Sequence, residues 1–219
     1  MRVSGLLALL VVAAVVCGPA RAQSVDVGLV NLLSGDVEFA SPGGAGQKAQ
    51  AFMRVRDGDR FNVPAGAVVR LVYFESARQE RWAGPASFRA GRQQGAIISG
   101  APADVATLPA GVPRRIARVP ELLQNAKLGG IQVRSAPARP SPPTADEQKQ
   151  VAEARVLYQQ MRARAAADDI APELFLYSAL SEYSLYSDMQ VVVDEMLRRQ
   201  PANENVAALA AWLKPRLAR

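Results

Sequence analysis

Histidine is absent from this 219-residue chain, and the absence removes whole classes of chemistry. Ser-His-Asp and Cys-His nucleophilic catalysis need an imidazole, and histidine is also the commonest metal ligand. Cysteine occurs once, at Cys17, inside an N-terminal apolar run. Its removal with that run would leave neither a disulfide nor a catalytic thiol. Carboxylates are outnumbered, 20 Asp and Glu against 26 Lys and Arg. Acid/base work would have to rest on paired carboxylates, and no pair is placed to suggest it. Glu75 and Glu80 stand among Arg78 and Arg81 and read as a solvated charge cluster at a turn. Asp57 and Asp59 read as turn formers, because a calcium loop needs several more oxygen donors at regular spacing. The loop Ser41-Pro42-Gly43-Gly44-Ala45-Gly46 lacks the Lys-Ser/Thr and the following helix of a phosphate cradle. The expectation is no catalytic residue, no metal and no cofactor.

Long apolar runs are missing except near the start. Met1-Arg2, the apolar segment Leu6 to Val16 and Ala20-Arg21-Ala22 have the order of a secretory signal peptide, with cleavage after Ala22. The charge-free run from Val3 to Ala20 contains Gly18-Pro19 and falls short of a membrane span. A lipid anchor on Cys17 would want a small residue before it, and Val16 stands there. The expected mature chain is therefore periplasmic, without a transmembrane segment. Its formal charge of +6 falls to +4 once Arg2 and Arg21 are gone. Export argues against nucleic acid as the partner of these bases. Anionic envelope surfaces, peptidoglycan or an envelope protein are the expected partners, and the bland alternative is an arginine-rich soluble surface.

What is present divides at a proline-rich stretch. Before it, Asp57-Gly58-Asp59 and Pro64-Ala65-Gly66 are turn signals. Val68 to Phe74 is dense in β-branched and aromatic residues. Trp82 and Phe88 sit in further short runs, closed by Gly84-Pro85 and Gly91. Val25, Val27, Leu29 and then Val37, Phe39 alternate as half-buried strands do, around a turn at Ser34-Gly35-Asp36. Another strand is expected over Ala49 to Val55, and a short one at Ala96-Ile97-Ile98. Such hairpins need a second layer to bury their apolar face.

The order of these pieces resembles the FecR domain, an extracytoplasmic β domain best known from iron-sensing regulators. Gly35-Asp36-Val37-Glu38-Phe39 looks like its opening strand and Asp57-Gly58-Asp59-Arg60-Phe61 like its Gly-Asp turn. Ala67 to Phe74 resembles the hydrophobic strand, and Gly84-Pro85-Ala86-Ser87-Phe88 the closing repeat. The resemblance covers about residues 25–100. It implies binding or signal relay outside the cytoplasm and carries no catalytic residues.

From Pro113 to Arg139 the chain is basic and reads as a solvated connector, with a last strand expected at Gly129 to Arg134. Ala136 to Pro143 reads as a stiff extended linker. After it, Thr144-Ala145-Asp146-Glu147 has capping-box spacing, and Val151, Ala154, Leu157, Met161 recur at helical period. A second helix is expected after Asp168-Asp169, with Pro172 in its first turn. A third is expected from a capping box at Ser187 to Gln190, and a fourth from Asn203 to Pro215. These paired helices are similar to tetratricopeptide-type repeats in length and in the proline after a helix, although the consensus small residues and aromatics are mostly missing.

The predicted fold class is α+β and multidomain. Residues 1–22 form the signal peptide and residues 23–135 a FecR-like β domain (a sandwich, small barrel or short β-solenoid) with a basic extension. Residues 136–143 are the linker and residues 144–219 a domain of helical hairpins. The function expected is non-enzymatic binding or scaffolding in the cell envelope, with the linker setting the separation of the two parts. A soluble input to a transmembrane signalling system is one alternative, and a carboxylate-dependent wall or polysaccharide hydrolase is another. Candidate binding residues are Arg70, Tyr73, Arg81 and Trp82 on the β side and Tyr177, Tyr183 and Tyr186 on the helical side. For the tyrosines, core or inter-domain packing is the preferred reading and an interface the second.

Overall fold

The computed structural model describes residues 25–128 and 142–218. The signal segment, the strand expected at Gly129 to Arg134 and most of the linker lie outside them.

Ten strands form two antiparallel five-stranded sheets. In the first sheet the order is β10 (Asp104–Thr107), β7 (Arg78–Ala83), β6 (Val68–Tyr73), β1 (Asp26–Ser34) and β4 (Arg54–Arg56). In the second it is β3 (Gln47–Lys48), β2 (Glu38–Ala40), β5 (Arg60–Val63), β8 (Ala86–Ala90) and β9 (Gly95–Ser99). Period-two alternation explains the second sheet: Phe61 and Val63 of β5, and Ala86, Phe88 and Ala90 of β8, point inward while Arg60, Asn62 and Arg89 point out. The inward residues meet Val69, Leu71, Tyr73 and Trp82 of the first sheet in one apolar cluster. Phe39, Phe61, Phe88 and Trp82 stack in series at centroid distances of 6.0, 5.1 and 4.2 Å, and the last contact joins the two sheets. The β part is thus a sandwich.

The central strands of the first sheet are buried on both faces, whereas its edge strand β10 is exposed. Arg70 and Val72 alternate with the inward residues of β6, yet both are buried as well. Their cover is a helical layer: α1 (Val112–Ile116), α2 (Val119–Leu128), α3 (Ala145–Arg162), α4 (Ala171–Glu182), α5 (Tyr186–Arg199) and α6 (Glu204–Leu217). Leu29 and Phe52 from the sandwich belong to the same apolar cluster as Leu174, Met189, Val206 and Leu209. Every residue of α4 from Ala171 to Leu180 is buried, as expected of a helix packed on all sides. Consecutive helices α3 to α6 pack pairwise, and α1 and α2 lie against α4 and α6. Direct packing, rather than linker length, sets the position of the helices on the sheet.

Several expectations give way. The connector from Pro113 holds two helices because Val112, Ile116, Val119 and Leu123 form one buried stripe at helical spacing, while Arg114 stays outside. The strand expected over Ala49 to Val55 is broken by a turn at Ala51-Phe52, where Phe52 adopts a φ of 62° and is buried against the helices. Thr144 and Glu147 form the expected capping box, and Asn203 caps α6. Ser187 caps nothing: α5 already begins at Tyr186, which leaves Ser187 within its first turn. Strand β10 is an element beyond those expected from the sequence.

Candidate functional site

Four of the candidate binding residues are interior. Tyr73 and Trp82 are fully buried within the sandwich, so neither ring is presented to a ligand. The Trp82 indole donates to Glu80 Oε2 at 3.1 Å, and the amide of Gly95 donates to the same oxygen at 3.1 Å. Glu80 is therefore not part of a solvated cluster. It is 1% exposed, and Arg78 completes its pairing at 2.6 Å. The Tyr73 hydroxyl has no hydrogen-bond partner of good geometry, and burial, with Glu80 nearby, pushes its phenol well above the usual range. Tyr177 is likewise buried in α4, and desolvation raises its phenol.

Arg70 is buried too, at the junction of sandwich and helices. Both of its terminal nitrogens donate to Asp168 Oδ1, at 3.2 and 3.1 Å, and Arg81 reaches Asp168 Oδ2 at 4.0 Å. Asp169 Oδ1 accepts from Asn31 Nδ2 at 3.1 Å, Gln79 Nε2 at 3.0 Å and the amide of Ala171 at 2.9 Å. Gln200 Nε2 spans the same seam, donating to the carbonyls of Asn31 and Asp168. The dipeptide before α4 thus plugs a row of polar side chains on the outer face of the first sheet. Arg70 is a structural clamp, and the partly exposed Arg81 lies beside the same carboxylate. The half-buried Tyr183 donates to Gln150 at 2.6 Å, tying α4 to α3, and Tyr186 meets Trp212 edge-on. The three tyrosines do not converge on one surface.

A second buried charge sits in α4. Glu173 is sealed from solvent with Arg162 at 3.1 Å, Arg199 at 3.4 Å and the Tyr158 hydroxyl at 3.3 Å. Burial raises its carboxyl above the usual range, and Arg162 only partly offsets that.

The surface left open on the sandwich is the outer face of the second sheet. There a cleft of about 460 Å³ is bounded by Ala40, Ser41 to Gly44, Gly58, Arg60 and Arg89. Its loop wall is fixed from below: Asp59, 1% exposed, accepts from the Ser41 hydroxyl at 2.8 Å and the Arg56 amide at 2.9 Å. Asp59 is the turn former expected of it. Arg60 and Arg89 were not singled out from the sequence. Alternation with Phe61 and Phe88 could have shown that both point outward, but their adjacency needs the strand register. Among the described residues no helix is long and apolar enough to cross a membrane, and no three His, Cys, Asp or Glu side chains gather in a metal-binding group.

No protein-family model matches the chain, and no curated protein or solved structure matches it either.

Proposed function

We propose that this is a non-enzymatic binding or scaffold protein of the bacterial envelope, periplasmic after signal-peptide cleavage, built on a FecR-like sandwich backed by helical hairpins. The observation that carries the reading is the division of surfaces. The central strands of one sheet are covered on both faces, which favours the outer face of the other sheet as the surface that meets partners. The buried charges favour the same view, since Arg70, Glu80, Asp169 and Glu173 are each engaged in holding the fold. The FecR likeness is supported by where its motifs fall. Gly35-Asp36 turns β1 into β2, Asp57 to Asp59 turns β4 into β5, and Ala67 to Phe74 contains β6.

The test is in-cell crosslinking of the tagged full chain, beside assays on labelled wall and polysaccharide substrates. A specific envelope partner, or sedimentation with sacculi, supports the reading. Turnover of a labelled substrate would replace it with the carboxylate hydrolase.

A further inference from the structure

Arg60 and Arg89 face each other directly across β5 and β8. Like charges opposite one another destabilise a sheet, and nothing beside them relieves this pair. In the same cross-strand row Arg60 is flanked by Ala40 and Arg89 by Ala96, side chains that bring no counter-charge. Every other Lys or Arg of residues 26–107, from Lys48 with Asp36 to Arg92 with Glu75, reaches a carboxylate within 4.0 Å. Among the described residues these two make no ion pair, and segments 1–24 and 129–141 contain no Asp or Glu to supply one. The acids on these strands and their turn form no ion pair with either arginine. Asp59 is turned inward to Ser41 and Arg56, and Glu38 lies in the next row, opposite Lys48.

The same two arginines line the cleft described above, whose volume falls within the roughly 300–1,000 Å³ of small-ligand sites. Its other wall is backbone-rich, and the space beside Gly43 is open: a side chain there would meet nothing within 4 Å. Two guanidinium forks side by side match the geometry of a carboxylate or phosphate. We propose that this cleft binds an oxyanion group, a phosphate or carboxylate, held between Arg60 and Arg89. The inference rests on the binding reading above and names the ligand chemistry of the open sheet.

Amide NMR of the full chain, titrated with inorganic phosphate and with citrate against sodium chloride at equal ionic strength, tests it. Saturable shifts at Gly43, Gly44, Gly58 and the two arginines are expected. Arg60→Gln and Arg89→Gln should each weaken binding about tenfold, as removal of one charge-assisted contact does. Both variants should unfold at or above the temperature of the native chain, because each relieves the like-charge pair. No saturable shift at the cleft, shifts indifferent to both substitutions, or a lowered unfolding temperature in both variants would overturn the proposal. Vesicles of phosphatidylglycerol and phosphatidylcholine separate the sources of the anion. Sedimentation that phosphate reverses assigns the site to a lipid headgroup, and phosphate binding without sedimentation assigns it to a soluble anion. Partner capture without phosphate binding would sink this inference alone, and phosphate binding without capture or sedimentation would sink the scaffold reading alone.

Discussion

Replacing Asp169 by Ala tests whether the sandwich and the helices are one cooperative unit. The carboxylate oxygen lost is the acceptor for Asn31, Gln79 and the Ala171 amide at once. A buried donor left without a partner costs about 1–3 kcal/mol. The three are neighbours and will not add fully, and water has a path in beside the half-exposed Asp168, so the lower part of the range applies. The expected loss is roughly 3–5 kcal/mol, a large share of the total stability of an ordinary domain. Asp169→Asn keeps an oxygen in place and should lose only about 1–2 kcal/mol, the difference between a charged and a neutral acceptor. The chain's two tryptophans make the assay direct, since Trp82 lies in the sandwich and Trp212 in α6. Urea unfolding of the variants Trp82→Phe and Trp212→Phe follows one layer at a time. The native chain should give coincident transitions, because Leu29 and Phe52 share an apolar cluster with the helices. Asp169→Ala should lower the midpoint and pull the two transitions apart. A variant within about 1 kcal/mol of the native chain, with both probes still coincident, would refute the reasoning.

Other consequences are as direct. A methyl group on Gly95 would stand 2.9 Å from both Glu80 Oε2 and Trp82 Cζ2, so Gly95→Ala should destabilise by about 1–3 kcal/mol, measured by chemical unfolding. Removing the capping hydroxyl with Thr144→Ala should cost about 1 kcal/mol, visible as a lower thermal midpoint. Tyr73 and Tyr177 keep their protons in the folded chain beyond the ordinary value of 10.0, whereas the unfolded chain releases them there. Their contribution is fully present below that pH and falls as pH rises above it, by about 1.4 kcal/mol per unit for each tyrosine. Tyr73→Phe should flatten the alkaline slope by one tyrosine's share, and an unchanged slope would show that the phenol ionises in place.

The sandwich strands from Arg60 to Ala90 were legible because alternation and turn residues are local. The helices α1 and α2 carried a signal as well, since Val112, Ile116, Val119 and Leu123 keep helical spacing. Interspersed arginines and two prolines hid it, although Pro113 merely occupies a first helical turn. The site was less readable, for two reasons. Aromatic residues are natural contact candidates in a sequence, yet Tyr73, Trp82 and Tyr177 are the bulk that fills the two cores. The informative pairs are non-local: Asn31 meets Asp169 across 138 positions, and Arg60 meets Arg89 only through strand register. No periodicity within one element contains either contact.

The helices α1 and α2 precede the proline-rich stretch, yet they pack against α4 and α6, which follow it. The chain therefore crosses from one side of its compositional boundary to the other twice, once through the backbone and once through space. Cleavage between Leu128 and Pro142 would sever only the first crossing. The resulting halves should stay associated as a complementing pair, and separately expressed pieces ending and beginning there should reassemble as a split protein. A shorter fragment that stops at Thr107 would instead leave Leu29 and Phe52 without their cover.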